Sequence, residues 1–129
     1  MPLRIVRLGS NRAADEGLRI GTVRRPPRGV PKERHASENW YDVWLPQLAP
    51  SAELLKEGLA ATTSKEWQTF VRKYRSEMAG SDNARLLTLL AALSKTTNLA
   101  VGCYCPDEAH CHRSVLRELL AENGADLLA

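Results

Sequence analysis

Apolar and charged residues alternate along Leu3-Arg4-Ile5-Val6-Arg7-Leu8, the period of a half-buried strand, and the alternation returns at Leu18-Arg19-Ile20-Gly21-Thr22-Val23 after a polar loop. Between Glu38 and Leu45 the pattern changes. Trp40, Tyr41, Val43 and Trp44 fall at three- and four-residue spacings, which predicts a short helical turn ended by Pro46. Ser51, directly after Pro50, is placed to cap a helix carrying Leu54, Leu55 and Leu59, with Gly58 weakening its far end. Ser64 is placed to cap the next helix, whose stripe of Trp67, Phe70, Val71, Tyr74 and Met78 stops near Gly80. A further helix starts at Ser81 or Asp82 and bears Leu86, Leu87, Leu89, Leu90 and Leu93, an apolar surface wide enough to be largely buried. Leu99 to Tyr104 reads as a buried strand. Ser114 to Glu122 reads as the last helix, with Val115, Leu116, Leu119 and Leu120 on one face and Asn123-Gly124 as its stop.

A strand fed by one helix and leading into another predicts parallel pairing, with the last helix packed back on the sheet. The expectation is a single α/β domain over residues 1–129, with a small, mostly parallel sheet flanked by helices. No internal repeat, low-complexity tract or linker divides the chain. Arg24 to His35 holds three prolines and a glycine, so it predicts an ordered surface loop rather than regular structure.

Composition changes this picture little. Apolar residues make up 43% and charged residues 26%, the balance of a folded globular protein and not of a disordered chain. The net charge of +3 is too small to argue by itself for nucleic-acid binding. The amino-terminal stretch has arginines inside its apolar run and lacks the hydrophobic segment of a secretory signal, and nothing approaches a membrane span. Three cysteines within nine positions do not form the paired framework of a secreted domain, so a cytoplasmic location with reduced thiols is expected.

Those cysteines carry the most chemistry. Cys103-Tyr104-Cys105 and Cys111-His112-Arg113 sit where the last strand meets the last helix. In a first reading, Cys111, His112 and Arg113 occupy the first helical turn, where unpaired backbone N–H groups and the dipole favour anions. Cys111 would then be an acidified nucleophile and His112 an acid or base. Arg113 would hold a phosphate or carboxylate, joined by Arg24 and Arg28 if the proline-rich loop folds over the carboxyl end of the strands, and Cys105 would lie beside the ligand. An anionic, phosphate-bearing small molecule is the partner this implies.

A second reading is a zinc site built from Cys103, Cys105, Cys111 and either His110 or His112. A third is a disulfide joining Cys111 to Cys103 or to Cys105, which needs Cα atoms within about 7 Å. Against these, Cys103 reads first as a small buried strand residue. A non-enzymatic alternative has Arg24, Arg25, Arg28, Lys32 and Arg34 tracking a nucleic-acid backbone, with Trp40, Tyr41 or Trp44 stacking on bases. His35 reads as a surface residue and Ser51 as a cap rather than a nucleophile. The chain has no phosphate-cradling glycine loop, no dinucleotide fingerprint and no His-Glu-x-x-His pair, so no cofactor is expected.

Several separated pieces resemble the YeaO-like family of small bacterial proteins, within a larger family of domains of unknown function. They are Glu16 to Ile20, Arg24 with Pro27 to Val30 and Lys32, Trp40, Leu48 to Ser51 with Glu53-Leu54, and the aromatic helix of Trp67, Phe70, Tyr74 and Glu77-Met78. Cys111-His112-Arg113 with Val115-Leu116 is similar to the Cys-His-Arg signature of the wider family. The resemblance implies a compact bacterial α/β protein with its site at that signature, and it specifies no reaction. Two positions depart from the family's pattern: Val23 stands where an acidic residue is usual, and Pro26 where the family has tryptophan.

Overall fold

Strands β1 (Leu3–Arg7), β2 (Leu18–Gly21), β3 (Val43–Trp44) and β4 (Leu99–Cys103) form one sheet in the order β1-β4-β2-β3, every neighbouring pair parallel. The computed structural model describes residues 2–105 and 108–128, so the polar loop expected after Cys105 lies partly outside the described residues. Four α-helices among the described residues pack with the sheet: α1 (Ala52–Ala60), α2 (Ser64–Met78), α3 (Ser81–Leu93) and α4 (His112–Glu122). The α/β class and parallel pairing are those predicted from the alternation of periods.

The main core joins sheet to helices. Leu3, Ile20, Leu99 and Val101 pack with Phe70, Tyr74 and Met78 of α2, Leu87 and Leu90 of α3, and Val115, Leu116, Leu119 and Leu120 of α4. Burying a side chain of this size is worth about 1.5–3 kcal/mol, so these contacts rather than helix propensity hold the layers together. A smaller core of Leu8, Val23, Tyr41, Cys103 and Cys111 lies at the carboxyl end of the strands, with Trp40, Tyr104 and Cys105 packed against it.

Strand β4 is buried at all five positions because it has partners on both sides, β1 through Leu3↔Leu99 and β2 through Leu18↔Leu99. Such a strand reads as a continuous apolar run, and Leu99-Ala100-Val101-Gly102-Cys103 does. Parallel neighbours also dictate what the proline-rich loop must do. To pair β3 parallel to β2, the chain has to leave the carboxyl end of β2 and return to the opposite edge before Val43. The loop therefore starts at the carboxyl edge of the sheet, and its first residues, Arg24, Arg25 and Arg28, are delivered there.

Val43 and Trp44 form an edge strand and not the helical turn their spacing predicts. Asn39 has a positive φ of 65°, which breaks a helical path, and the segment is bonded to β2 on both flanks, Asp42 N–H to the Arg19 carbonyl at 2.7 Å and Leu45 N–H to that of Gly21 at 2.8 Å. Short apolar runs fit either period, and tertiary pairing decides between them. Strand β2 likewise ends at Gly21, two residues before its alternation does.

Helix caps follow the sequence more closely. Ser51 Oγ accepts from Leu54 N–H at 3.3 Å, as expected for the start of α1. For α2 the cap is Thr63, one residue before Ser64, because Glu66 completes a reciprocal capping box with it. Helix α4 stops at Asn123, followed by Gly124 at φ 83°, the left-handed stop predicted there.

Candidate functional site

Where β1, β4 and β2 end, a cleft of about 800 Å³ opens between the proline-rich loop and the side of α1 that carries Leu55 and Leu59. In an open parallel sheet the carboxyl ends of the strands are the usual ligand side. Arg7 comes from the last position of β1, and Arg24, Arg25 and Arg28 come from the loop. No carboxylate lines the cleft among the described residues. Val23, where the resemblance has an acidic residue, is part of the wall, as is Pro26.

The arginines differ in how far they are committed. Arg24 Nε donates to the Pro50 carbonyl at 3.0 Å and Nη2 to that of Ala49 at 3.1 Å, tying the loop to the segment that leads into α1. Arg7 Nε donates to the Tyr104 carbonyl at 3.3 Å. Arg25 and Arg28 are exposed and form no ion pair with a described residue. Trp40 supplies an apolar wall, edge-on to Tyr104 with ring centroids 5.9 Å apart.

The floor of the cleft is Cys103, Cys105 and His112. His112 is 6% exposed and its Nε2 lies 2.7 Å from the Thr22 carbonyl, with Thr22 Oγ1 at 3.4 Å. Thr22 is itself fixed to β4, its N–H and hydroxyl both donating to the Gly102 carbonyl at 2.9 and 3.0 Å. A carbonyl can only accept, so Nε2 carries the proton and Nδ1 keeps the lone pair. Burial pulls the His112 pKa down to about 4, helped by the charge of Arg113 and opposed by the Thr22 bond. The imidazole is therefore neutral near pH 7, with an accepting lone pair on Nδ1, 3.7 Å from Cys111 Sγ.

Cys111 is the N-cap of α4 and is buried; its Sγ is in contact with Cys103 Sγ, across a Cα separation of 8.0 Å. Of the two disulfide pairings open in the sequence, the sulfur contact is with Cys103, and Cys105 is a free thiol. Cys103 is thus buried as expected, but its sulfur does more than pack. Burial pushes the Cys105 thiol above its ordinary pKa against the pull of Arg113 and Arg7. Of the four residues considered for zinc with Cys111, the structure groups Cys103 and His112 with it and leaves Cys105 and His110 outside. His110 instead meets the Trp67 ring edge-on at 5.8 Å.

Arg24, Arg28, Cys105 and His112 line the cleft, whereas Cys111 and Arg113 are not on its wall. Arg113 is 4% exposed, and its Nη2 donates to the Cys105 carbonyl, linking α4 to the residues just after β4. His35, read as a surface residue, is buried. Its Nε2 donates to the Val30 carbonyl at 3.0 Å and its ring meets Tyr41 edge-on at 5.1 Å, so it staples the proline-rich loop to the smaller core. Of the aromatics considered for base stacking, Tyr41 is buried, while Trp44 is partly exposed with its Nε1 donating to the Val23 carbonyl at 2.7 Å. Arg7 belongs to no motif in the sequence; its one signal is that it ends a strand on the ligand side of the sheet.

No helix among the described residues is long and apolar enough to cross a membrane. Residues 3–124 match a family model, DUF488-N3a, described as the active DUF488-N3 subclade. This agrees with a domain-of-unknown-function family, as the resemblance implied. No curated protein and no solved structure matches the chain.

Proposed function

The chain belongs to the DUF488-N3a family, and on that footing we propose that it binds an anionic, phosphate-bearing small molecule in the cleft at the carboxyl ends of β1, β4 and β2. The observation that carries this reading is a cavity into which four arginines converge without a lining carboxylate among the described residues. Such a field attracts anions, and a guanidinium offers the forked donor geometry that phosphate takes up. Arg28 and Arg25 contact the ligand in this reading, while Arg24 is a positioning residue whose Nε and Nη2 are already engaged by carbonyls. Trp40 and Leu55 give an apolar side against which the rest of the molecule packs. Val23 in place of the acidic residue leaves the cleft uniformly cationic.

Cys111 and Arg113 act indirectly: one buries its sulfur behind the floor, the other holds the Cys105 carbonyl. The sulfur that faces a ligand belongs to Cys103 or Cys105. Titration of the metal-free protein with inorganic phosphate and with a sugar phosphate, followed by calorimetry or tryptophan emission, tests the reading. Binding that Arg28→Ala weakens by roughly ten- to hundredfold, the loss of a charge-assisted bond worth about 1.5–3 kcal/mol, is expected. Absence of binding, or affinity indifferent to Arg28→Ala, would overturn it. Tight binding of an oligonucleotide with a steep salt dependence, and none of small phosphates, would transfer the loop to the nucleic-acid alternative.

A further inference from the structure

We propose that Cys103, Cys111 and His112 are the three protein ligands of a zinc ion whose fourth coordination position opens into the arginine-lined cleft. The three donor atoms, two sulfurs and one ring nitrogen, lie within 4.8 Å of one another, and all three residues are buried. Thiolate and imidazole are the ligands zinc prefers, and two thiolates neutralise its charge, so the filled site carries no net charge into a buried place.

The histidine is set for this role by its surroundings. Nε2 gives its proton to the Thr22 carbonyl, which leaves the Nδ1 lone pair on the side of Cys111. A metal-bound histidine characteristically donates its other ring N–H to a carbonyl or carboxylate, which fixes the ring and raises its basicity. The backbone agrees. Cys103 closes β4, Cys111 caps α4 and His112 is the first residue of that helix, so all three donors stand on ordered elements. The cysteine Cα atoms are 8.0 Å apart, more than the roughly 7 Å a direct disulfide spans without backbone movement. Two thiolates on one zinc stand about 3.8 Å apart at Zn–S distances near 2.3 Å, which suits the longer span.

Three protein ligands are one fewer than a closed structural site needs, and zinc sites with an open position bind water or substrate there. Cys103 and His112 line the cleft that Arg28 also lines, and Cys111 does not, so a position left open by these three ligands would lead into that cleft. Cys105 lines the cleft but stands outside the donor group, which separates this site from a four-ligand set that includes it. The metal site stands independently of the anion reading, since that reading is measured on metal-free protein.

The test loads the reduced, full-length protein with Zn(II) and, for its spectrum, Co(II). One equivalent of metal per chain is expected, with the thiolate-to-cobalt charge-transfer intensity of two sulfurs and the visible bands of a tetrahedral ion. Cys103→Ser and Cys111→Ser should each lose more than about a hundredfold in affinity, above the ten- to hundredfold typical of an outer partner. Cys105→Ser should keep full stoichiometry. His112→Gln retains a donor for the Thr22 carbonyl, and circular dichroism should show it folded while it binds weakly. A readout on the unmutated chain guards against variants that fail to fold: bound zinc should slow alkylation of Cys103 and Cys111 and leave Cys105 unaffected. Less than stoichiometric uptake by the reduced wild-type protein, or equal loss on Cys105→Ser, would overturn the site.

Discussion

Arg19 grips Glu16 with two parallel bonds inside the protein, Nε to Oε2 at 2.7 Å and Nη2 to Oε1 at 2.8 Å. Its remaining nitrogen, Nη1, donates to the carbonyls of Ser10 and Asn39, both at 2.8 Å. Ser10 lies on the cleft wall and Asn39 precedes Trp40, which also does. The pair therefore fastens the two loops that flank the site. Removing one partner of a buried pair leaves an uncompensated charge, so Glu16→Gln should lower the unfolding free energy by about 3–5 kcal/mol in urea titrations. Arg19→Met with Glu16→Leu should cost less than the sum of the two single changes. Additive losses would show that the pair is not a unit.

The same carboxylate governs part of the acid response. Burial raises the Glu16 pKa, but the bond and charge of Arg19 more than offset it and hold the group below its usual 4.5. A depressed folded-state pKa adds stability that is complete above the unfolded value and is lost as the pH falls below it through the folded one. Urea midpoints should therefore fall as the pH drops below about 4.5, and more steeply in the wild type than in Glu16→Gln. Parallel curves for the two proteins would remove Glu16 from the account.

Gly58 sits inside α1, where alanine would ordinarily stabilise by about 0.5–1 kcal/mol. A Cβ there would stand 2.7 Å from Cε2 and 2.8 Å from Cδ2 of the buried Phe70 ring. Forcing a core aromatic aside costs typically 1–3 kcal/mol, so the collision wins and Gly58→Ala should lower the thermal midpoint. A raised midpoint would mean that the ring yields without cost. Gly58 thus marks the close approach of α1 to α2 rather than a weak helix end.

What the sequence made legible was what depends on local period. Helices α2, α3 and α4 and strand β4 lie where the apolar spacing puts them, but the α3 surface is buried less than its leucines predict: Leu87 and Leu90 face the core while Leu89 and Leu93 are exposed, as is Leu59 of α1. Val43 and Trp44 pair as a strand where their spacing predicts a helical turn, because two residues cannot separate one period from the other and the partner that decides, β2, is remote in sequence. His35 is buried by the Val30 carbonyl and the Tyr41 ring, neither of which its polar neighbourhood announces. The Glu77 carboxylate accepts from both the N–H and hydroxyl of Ser51 at 2.9 and 2.6 Å, a tie between α2 and the start of α1 that no local spacing announces. The stretch with the site chemistry was legible as a cluster of reactive types. Which sulfurs line the cleft is not legible there, because that depends on how the end of β4 packs against the start of α4, two elements whose contact no local spacing states.

The order β1-β4-β2-β3 places the last strand of the chain between the first two, which do not touch each other. On a ribosome, the amino-terminal strands must therefore wait for Leu99 to Cys103 to emerge before most of the sheet can form, since only the short β2–β3 pairing is available earlier. Until then β1, with Leu3 and Ile5, is unpaired and β2, with Ile20, has one open edge, and the arginines that alternate with these residues oppose association of the nascent chain. Arg4, Arg7 and Arg19 thus act before folding as gatekeepers of strands that cannot yet find their partner.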